Sequence, residues 1–382
     1  MTPGAPGSHR SALGNLDPVQ PGPARLTSAV PAPPAGDTVG SMRAIEYSVT
    51  GDPDVLSLVE RPVPDPGPGE VRVRIHRSGV NPTDWKTRRG QAPGAAVQPP
   101  QVPNQDGSGV VEAVGQGVES ALVGLRVWVW EAAHLRPDGG TAQEYAVVPA
   151  RHVVLLPDVA SFDLGASLGV PFLTAHRCLT ATEDGPTRLG PGTLEGRTVL
   201  VAGGAGAVGN AAIQLARWSD ATVITTVSGP EKGHLAARAG ADHVINYRQA
   251  DVVAEVRAIA PHGVNTIVEV SPAVNAALDA EVLARHGSVA VYANNGGSTM
   301  ELPVRPSMVP NVRWQFVLVY NAPEAWRARA LEDVVSAVLD GAVRVGTEAG
   351  LPLHHYPLDR AAEAHAAVEG GTVGKVLIDV RP

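Results

Sequence analysis

The sequence predicts an α/β protein of two parts, an all-β module followed by a doubly wound parallel sheet with helices on both faces. The chain has 382 residues, of which 44% are hydrophobic, and this is enough for two domain cores. In the first half, short apolar segments are separated by Gly, Pro or Asp turns, as in all-β folds. From about residue 198 such segments alternate with helical patterns, as βαβ units require.

The first residues, 1–41, differ in composition from the rest of the chain. They are rich in Pro, Gly, Ala and Ser and have no sustained apolar period. Such a segment buries too little apolar surface to offset the entropy lost on ordering. We therefore expect 1–41 to be a disordered extension.

The all-β module begins at Met42. In one of its segments Val71, Val73 and Ile75 alternate with polar residues, which is typical of a strand with one buried face. A Pro-Gly linker over 62–69 precedes this strand, and a helical pattern begins near 162, after the module. The predicted strands of the module are 43–47, 70–78, 109–114, 126–130 and 142–148.

Residues 198–218 combine a buried strand, a glycine turn and the start of a helix. The turn has the pattern G-x-G-x-x-G, formed by Gly204, Ala205, Gly206, Ala207, Val208 and Gly209. Gly204 permits the tight turn, Gly206 lets a pyrophosphate approach the backbone, and Gly209 lets the helix lie close to the sheet. Free N–H groups and the helix dipole attract the anion. The sequence therefore predicts a dinucleotide site.

The residues after this turn support a doubly wound sheet. No Lys-Ser/Thr pair follows Gly209, which argues against a nucleoside-triphosphate P-loop. The predicted elements are strands over 221–227, 243–246, 265–270 and 288–293, and helices over 231–238, 249–259 and 273–284.

The end of the second strand of this sheet indicates which dinucleotide binds. An NAD site places an acidic residue there, but Asp220 precedes the strand and Glu231 follows the turn. Ser228 and the glycine after it leave room for a 2′-phosphate, and Lys232 is either its counter-ion or a solvated helix lysine. The sequence favours NADPH.

Composition excludes several classes of partner. The net charge of −8 gives no reason to expect nucleic acid or an anionic membrane surface. Cys178 is the single cysteine, so no internal disulfide can form, which fits a reducing cytosol. No apolar run reaches membrane-spanning length and no signal peptide is evident. We expect a cytoplasmic protein without a membrane partner.

Several motifs occur together in one order: 62–70, 78–86, 106–110, 140–145, the glycine turn and 374–376. With these motifs the chain resembles the medium-chain dehydrogenase/reductase superfamily, and within it the zinc-free NADPH:quinone reductases of zeta-crystallin type. The resemblance covers 42–382. It implies a GroES-like β-barrel domain over 42–165, a Rossmann NADPH-binding domain over 166–308, and a return over 309–382 that completes the first domain. It also implies a homodimer.

The same resemblance implies hydride transfer without a metal. Asn81 stands where zinc dehydrogenases have a cysteine ligand and Gln105 where they have a histidine, and amides are poor zinc ligands. The adjacent His354 and His355 are interpreted as surface residues, because neighbours on a strand face opposite sides. The implied acceptor is a quinone or an enone. An enoyl reductase is the alternative, with Tyr292 or Tyr320 as the acid, and a cofactor-binding protein without turnover is the third hypothesis.

Three catalytic candidates follow from the match. Asn81 would bond a carbonyl or a ribose, unless it only forms the turn before Pro82. Lys86 replaces a tyrosine common in these reductases and would contact a phosphate or ribose, unless it is a solvated lysine. Thr174 would bond the nicotinamide amide, unless it caps a helix.

The match also implies cofactor contacts. At the pyrophosphate they are Ala205, Gly206, Ala207 and Val208. At the adenosine ribose phosphate they are Ser228 and Tyr247, the latter alternatively a strand-end aromatic. Near the crevice, the nicotinamide and its ribose they are Val270, Ser271, Ala273, Val291, Tyr292, Ala293, Asn294, Gln315, Phe316 and Val317, with Lys375 near the phosphates.

Overall fold

A computed structural model describes residues 40–381. The predicted extension lies outside the described residues except for Gly40 and Ser41, and Ser41 already begins the first strand. The strands are β1 Ser41–Val49, β2 Ser57–Pro62, β3 Glu70–Val80, β4 Ala96–Gln101, β5 Asp106–Val114, β6 Arg126–Val129, β7 Tyr145–Pro149, β8 Val153–Leu155, β9 Thr198–Ala202, β10 Thr222–Val227, β11 His243–Asn246, β12 Val264–Glu269, β13 Leu283–Val291, β14 Arg313–Phe316, β15 Leu353–Pro357 and β16 Lys375–Asp379. The α-helices are α1 Pro82–Arg89, α2 Ala132–Leu135, α3 Phe162–Thr180, α4 Ala207–Trp218, α5 Pro230–Ala239, α6 Val252–Ile259, α7 Pro272–Val282, α8 Val304–Met308, α9 Glu324–Leu339 and α10 Ala361–Glu369.

The amino-terminal part is built on the long strand β3. A mainly antiparallel sheet has the order β15-β16-β3-β5-β6-β8, and β7 also pairs with β3. A smaller sheet has the order β2-β1-β4. Val71, Val73 and Ile75 of β3 are fully buried, as their alternation with polar residues predicts. The GroES-like fold expected for this part is confirmed.

The second sheet contains the glycine turn. Its order is β11-β10-β9-β12-β13-β14, and every neighbouring pair is parallel. The strand order reverses between β9 and β12, and in doubly wound sheets ligands bind outside the carboxyl ends of the strands at that point. Val199, Val201 and Val268 are buried beneath α3 and α4 in one core. The predicted Rossmann sheet is therefore confirmed.

The end of this sheet differs from the expectation. β14 pairs with β13, so the predicted limit at residue 308 falls one strand short. Helix α9 packs against α3, with Trp326 and Val334 in the core of the nucleotide sheet. The return to the first sheet is made by β15, α10 and β16, of which β16 pairs antiparallel with β3. An isolated strand pattern does not specify its partner sheet, which explains the misplaced limit.

Two helix starts have local causes. Helix α3 begins at Phe162, where the helical pattern was predicted to begin, because the Ser161 hydroxyl accepts a hydrogen bond from the Leu164 N–H at 3.1 Å. Helix α6 begins at Val252 rather than 249, because the Asp251 side chain caps it. None of the helices within 40–381 combines the length and apolarity needed to cross a membrane.

Candidate active site

In the glycine turn between β9 and α4, the glycines have different structural roles. Gly203, not Gly204, has the left-handed conformation, with φ of +72°. A Cβ at Gly204 would lie 2.1 Å from Thr225 Oγ1, and one at Gly209 would lie 2.4 Å from the Gly203 carbonyl oxygen. Gly204 and Gly209 are thus required by the close packing of helix and strand. The tight turn assigned to Gly204 belongs to its neighbour.

Gly206 is different because packing does not require it. A Cβ there would meet only the Gly203 carbonyl oxygen, at 3.5 Å. Gly206 precedes α4, and the N–H groups of the next residues, Ala207 and Val208, have no partners within the helix. The space left by the missing side chain therefore adjoins unpaired donors and the positive end of a helix. Such a cradle fits a pyrophosphate.

The carboxyl ends of β10 and β11 bring together the residues expected at the ribose phosphate. The Tyr247 N–H donates to the Val227 carbonyl at 3.1 Å, which places Tyr247 beside Ser228. Lys232 lies in the first turn of α5 and makes no ion pair with any residue from 40 to 381. Arg248 also makes no ion pair within that range. The sequence analysis did not identify it as a candidate for the ribose phosphate, although it directly follows Tyr247.

A cavity of about 410 Å³ lies at the carboxyl ends of β12, β13 and β14. Its lining includes most of the residues expected near the nicotinamide: Ala273, Val291, Tyr292, Ala293, Asn294, Phe316 and Val317. Gln315 does not join them, because its exposed amide donates to the Phe316 carbonyl at 2.7 Å. Val270 is not among the lining residues; its Cγ1 lies 3.4 Å from a Cβ built at Gly203, beside the glycine turn. The N–H of Ser271 donates to the Glu269 carboxylate.

Lys86 joins the two parts of the chain across this cavity. Its Nζ donates to Asn294 Oδ1 at 3.4 Å, and it lies 5.8 Å from the centre of the Trp85 ring. Lys86 and Asn294, both expected from the family resemblance, therefore meet beside the cavity that Asn294 lines. Thr174 is in the middle of α3 and only 6% exposed, so it caps no helix.

Asn81 is held in a buried polar cluster rather than free for a ligand. Its Nδ2 donates to Asp106 Oδ2 at 2.7 Å, and its Oδ1 accepts from Lys375 Nζ at 2.7 Å. The Lys375 ammonium is enclosed and lies 3.7 Å from Asp106. Because the Lys375 ammonium is buried and bonded to Asn81, its contacts give no support to the predicted phosphate contact. Sequence reasoning missed the pairing because these residues are 294 positions apart.

The cluster contains a second carboxyl group, that of Asp84. Burial and the Asp106 charge raise the pKa of Asp84 to about 8. Hydrogen bonds from the Asn81 and Gln105 N–H groups act in the opposite direction. Burial also raises the pKa of Asp106 and lowers that of Lys375, while their mutual attraction opposes both shifts. The Lys375–Asp106 pair is thus bridged by Asn81 and shares its buried site with the Asp84 carboxyl group.

Asn81 and Gln105, which the resemblance places where zinc dehydrogenases have metal ligands, both have side-chain amides that make hydrogen bonds within the protein. Asn81 bridges the buried pair, and Gln105 Oε1 accepts from the His134 N–H at 2.9 Å. His354 bonds the Val373 carbonyl and His355 bonds Asp379. Over residues 40–381, no three His, Cys, Asp or Glu side chains are grouped so that they could hold a metal ion.

A second cavity, of about 470 Å³, separates the β module from α9. It is lined mainly by polar residues, namely Glu131, His134, Leu135, Arg151, His152, Tyr320, Glu324 and Arg327. The His134 ring stacks on Tyr320 with 4.8 Å between centroids. Of this set, only Tyr320 was singled out in the sequence. The others lie on three separate segments, so no local pattern marked them.

Comparisons with known proteins agree with this arrangement. The family described as an alcohol dehydrogenase GroES-like domain matches residues 67–158, and the one described as a zinc-binding dehydrogenase matches residues 207–336. The chain is similar to the quinone oxidoreductase of Pongo abelii, with 30% identity over 342 residues. That match covers 88% of this chain and 97% of the relative. The two halves of the chain thus match in the order that the fold predicts.

Two solved structures share the whole architecture. A mycobacterial protein complexed with NADPH is 31% identical, with a TM-score of 0.72, and the match covers 88% of this chain and 99% of that one. A quinone oxidoreductase of Escherichia coli, also complexed with NADPH, is 25% identical with a TM-score of 0.73, and the coverage is again 88% and 99%.

Proposed function

Because the chain belongs to the medium-chain dehydrogenase/reductase superfamily and is an oxidoreductase of it, we propose that it reduces quinones or related conjugated carbonyls with NADPH and without zinc. The observation that carries the proposal is the open cradle at Gly206, on the same sheet edge as the apolar cavity. Bound NADPH would supply the hydride.

The chain's own residues would bind and orient the cofactor. The N–H groups after Gly206 would bind the pyrophosphate, and Lys232 with Arg248 would neutralise the 2′-phosphate beside Ser228 and Tyr247. The apolar walls formed by Val291 and Val317 would exclude water from the reacting ring. These roles position the reactants, which is what a direct hydride transfer requires.

The zinc-independent part of the proposal is supported by chemistry at two positions. Asn81 and Gln105 offer amide oxygens in place of a thiolate and an imidazole. The Asn81 oxygen already accepts from an ammonium, that of Lys375. A zinc ion would have to displace this bond and approach a positive charge. Treatment with a chelator is therefore expected to leave the rate of NADPH oxidation unchanged.

The proposed reaction is tested by following NADPH oxidation at an absorbance of about 340 nm with purified protein, 9,10-phenanthrenequinone and 2-cyclohexenone, with NADH in parallel. Turnover of the quinone with NADPH is expected. Turnover of the enone alone would favour the enoyl reductase, and the polar second cavity with its acids is the observation behind that alternative. Binding of NADPH without turnover of any acceptor would contradict both.

We also propose that the protein is a homodimer. Strand β14 is the edge of the parallel sheet, and apolar side chains beside it are exposed: Val304 by 74%, Met308 by 62%, Val309 by 64% and Leu318 by 58%. An apolar edge of this kind favours pairing with a second copy.

A further inference from the structure

We propose that Glu131 is the proton donor of the reaction proposed above, acting on an acceptor held in the second cavity. Its carboxyl group would protonate the carbonyl oxygen of the acceptor as hydride arrives at the other end of the conjugated system. The inference rests on the proposed function, because it needs an acceptor that gains both hydride and a proton.

The carboxyl group of Glu131 is enclosed but unsatisfied. Its side chain is 3% exposed and lines the cavity, and its Oε1 accepts no hydrogen bond from any residue within 40–381. Arg327 Nη2 lies 3.6 Å from Oε1, and His152 Nδ1 lies 3.8 Å from Oε2. Both distances exceed those of hydrogen bonds. A buried carboxyl with an unused oxygen is available to a ligand.

The backbone of Glu131 is also unusual. It has left-handed φ and ψ of 57° and 20°, which a residue with a side chain rarely adopts. The His134 and Leu135 N–H groups donate to the Glu131 carbonyl at 3.1 and 3.2 Å, so the start of α2 holds this conformation. Such strain concentrates at functional sites, where the surrounding structure fixes it. Here the left-handed conformation of Glu131 turns the chain after β6 into the segment that lines the cavity.

Several charged or titratable groups surround this carboxyl. They are Arg327 and Glu324 of α9, Arg151 and His152 after β7, His134 of α2, Asp106 of β5, and Tyr320. Burial raises the pKa of Glu131 to about 7, with Arg327 opposing and Asp106 adding to the shift. Burial lowers the pKa of His152 to about 4, so that ring is neutral. Burial raises the pKa of Tyr320 well above its ordinary value. Glu131 can therefore release a proton at neutral pH where Tyr320 cannot.

The step balances in atoms and electrons. The acceptor would gain a hydride, and with it two electrons, at one end of its conjugated system, while the carbonyl oxygen at the other end would gain the proton as the O–H bond of Glu131 breaks. NADPH is oxidised to NADP⁺. The carboxylate that forms is stabilised by the Arg327 guanidinium and regains a proton from solvent at the side of the cavity where Arg151 is exposed.

The test compares Glu131→Gln with Glu119→Gln, which makes the same substitution at an exposed site. With phenanthrenequinone, E131Q is expected to lower kcat by roughly 10²-fold with little change in KM, because a general acid acts in the transition state. The wild-type kcat should fall as pH rises through about 7, and this decrease should be absent in E131Q. E119Q should behave as the wild type.

A second readout needs no turnover. Infrared difference spectra of the protein without NADPH are recorded from about pH 5 to about pH 9. In the wild type, the absorbance of protonated carboxyl groups should decrease over this range. The decrease should be smaller in E131Q. If E131Q folds poorly, Glu131→Asn serves instead, since asparagine tolerates the left-handed backbone.

The outcomes separate the two proposals. An E131Q enzyme with wild-type kcat and an unchanged pH profile overturns the role of Glu131 and leaves the proposed function standing. A wild-type protein that binds NADPH but reduces no acceptor contradicts the proposed function, and the role of Glu131 is rejected with it.

Discussion

Gly206 shows how one residue type serves two purposes in a single turn. Gly204 and Gly209 avoid collisions, whereas Gly206 leaves a space that the protein does not fill. The strand, glycine turn and helix were predictable at this scale because the motif is local. The sequence did not predict the Asn81–Lys375 bond or the surroundings of Glu131, because those contacts join segments far apart in the chain.

Substituting Gly206 with valine should weaken NADPH binding by at least about tenfold, because the side chain fills the space meant for the pyrophosphate. Titration calorimetry with NADPH measures this directly. Gly190→Val is the matched control, since a Cβ at Gly190 meets nothing within 4 Å and one at Gly206 meets only the Gly203 carbonyl oxygen, at 3.5 Å. Equal affinities in G206V and the control would refute the assignment of the cradle.

Removing Lys232 and Arg248 together should affect NADPH but not NADH. Each charge-assisted bond to the 2′-phosphate contributes about 1.5 kcal/mol or more, so the double alanine variant should raise KM for NADPH at least about tenfold. The KM for NADH should stay within about twofold. A parallel loss with both cofactors would show that the two cations act elsewhere.

At the scale of elements, helix α9 is fastened to α3 by a buried polar network. His176 Nε2 and Asp333 Oδ2 are 2.8 Å apart, and Trp326 Nε1 donates to His176 Nδ1 at 3.0 Å. Arg188 and the Leu189 N–H also donate to Asp333. The start of α3 was predictable from the local pattern, whereas that of α6 was predicted three residues early although its Asp251 cap is local. The allocation of β14 and α9 to the nucleotide sheet was not predictable, because it depends on pairing.

Replacing Asp333 with asparagine should reduce the free energy of unfolding by about 3 kcal/mol near neutral pH, because a buried charge network loses its acceptor. Burial alone would raise the pKa of Asp333, but bonds from His176, Arg188 and Leu189 outweigh it and the pKa is lowered. Its stabilising effect is therefore present above its unfolded pKa of 3.8 and disappears as pH falls through the lower folded value.

Denaturant unfolding at several pH values checks this, with Glu332→Gln as the control. Glu332 is the adjacent residue, bonds the same Arg188, and its side chain is 65% exposed, so it should change stability by less than about 1 kcal/mol. A D333N variant as stable as E332Q at neutral pH would show that the network does not fasten α9.

At the scale of the whole molecule, the two cavities differ in origin. The first is lined only by residues within 272–318, and the second by residues of both parts, within 131–152 and 320–327. The order of the two parts was readable from the change in periodicity near residue 198. The second cavity was not, because its side chains come from segments far apart in the chain.

The proposed dimer makes a prediction at this scale. Sedimentation equilibrium should give twice the chain mass, and Met308→Glu should yield monomers, because a charge on the apolar edge opposes contact with a second copy. Val159→Glu, at an 80% exposed position of the other part, should remain dimeric. A wild-type monomer at micromolar concentration would contradict the assignment of this edge.

The central claim is direct hydride transfer from NADPH without a metal. The most direct measurement is the oxidation by phenanthrenequinone of NADPH deuterated at C4, using protein first treated with a chelator and freed of it. We predict full turnover, slowed by the label relative to unlabelled NADPH. Activity that disappears after chelation and returns with zinc would contradict the account. An absence of turnover with both labelled and unlabelled NADPH would contradict it as well.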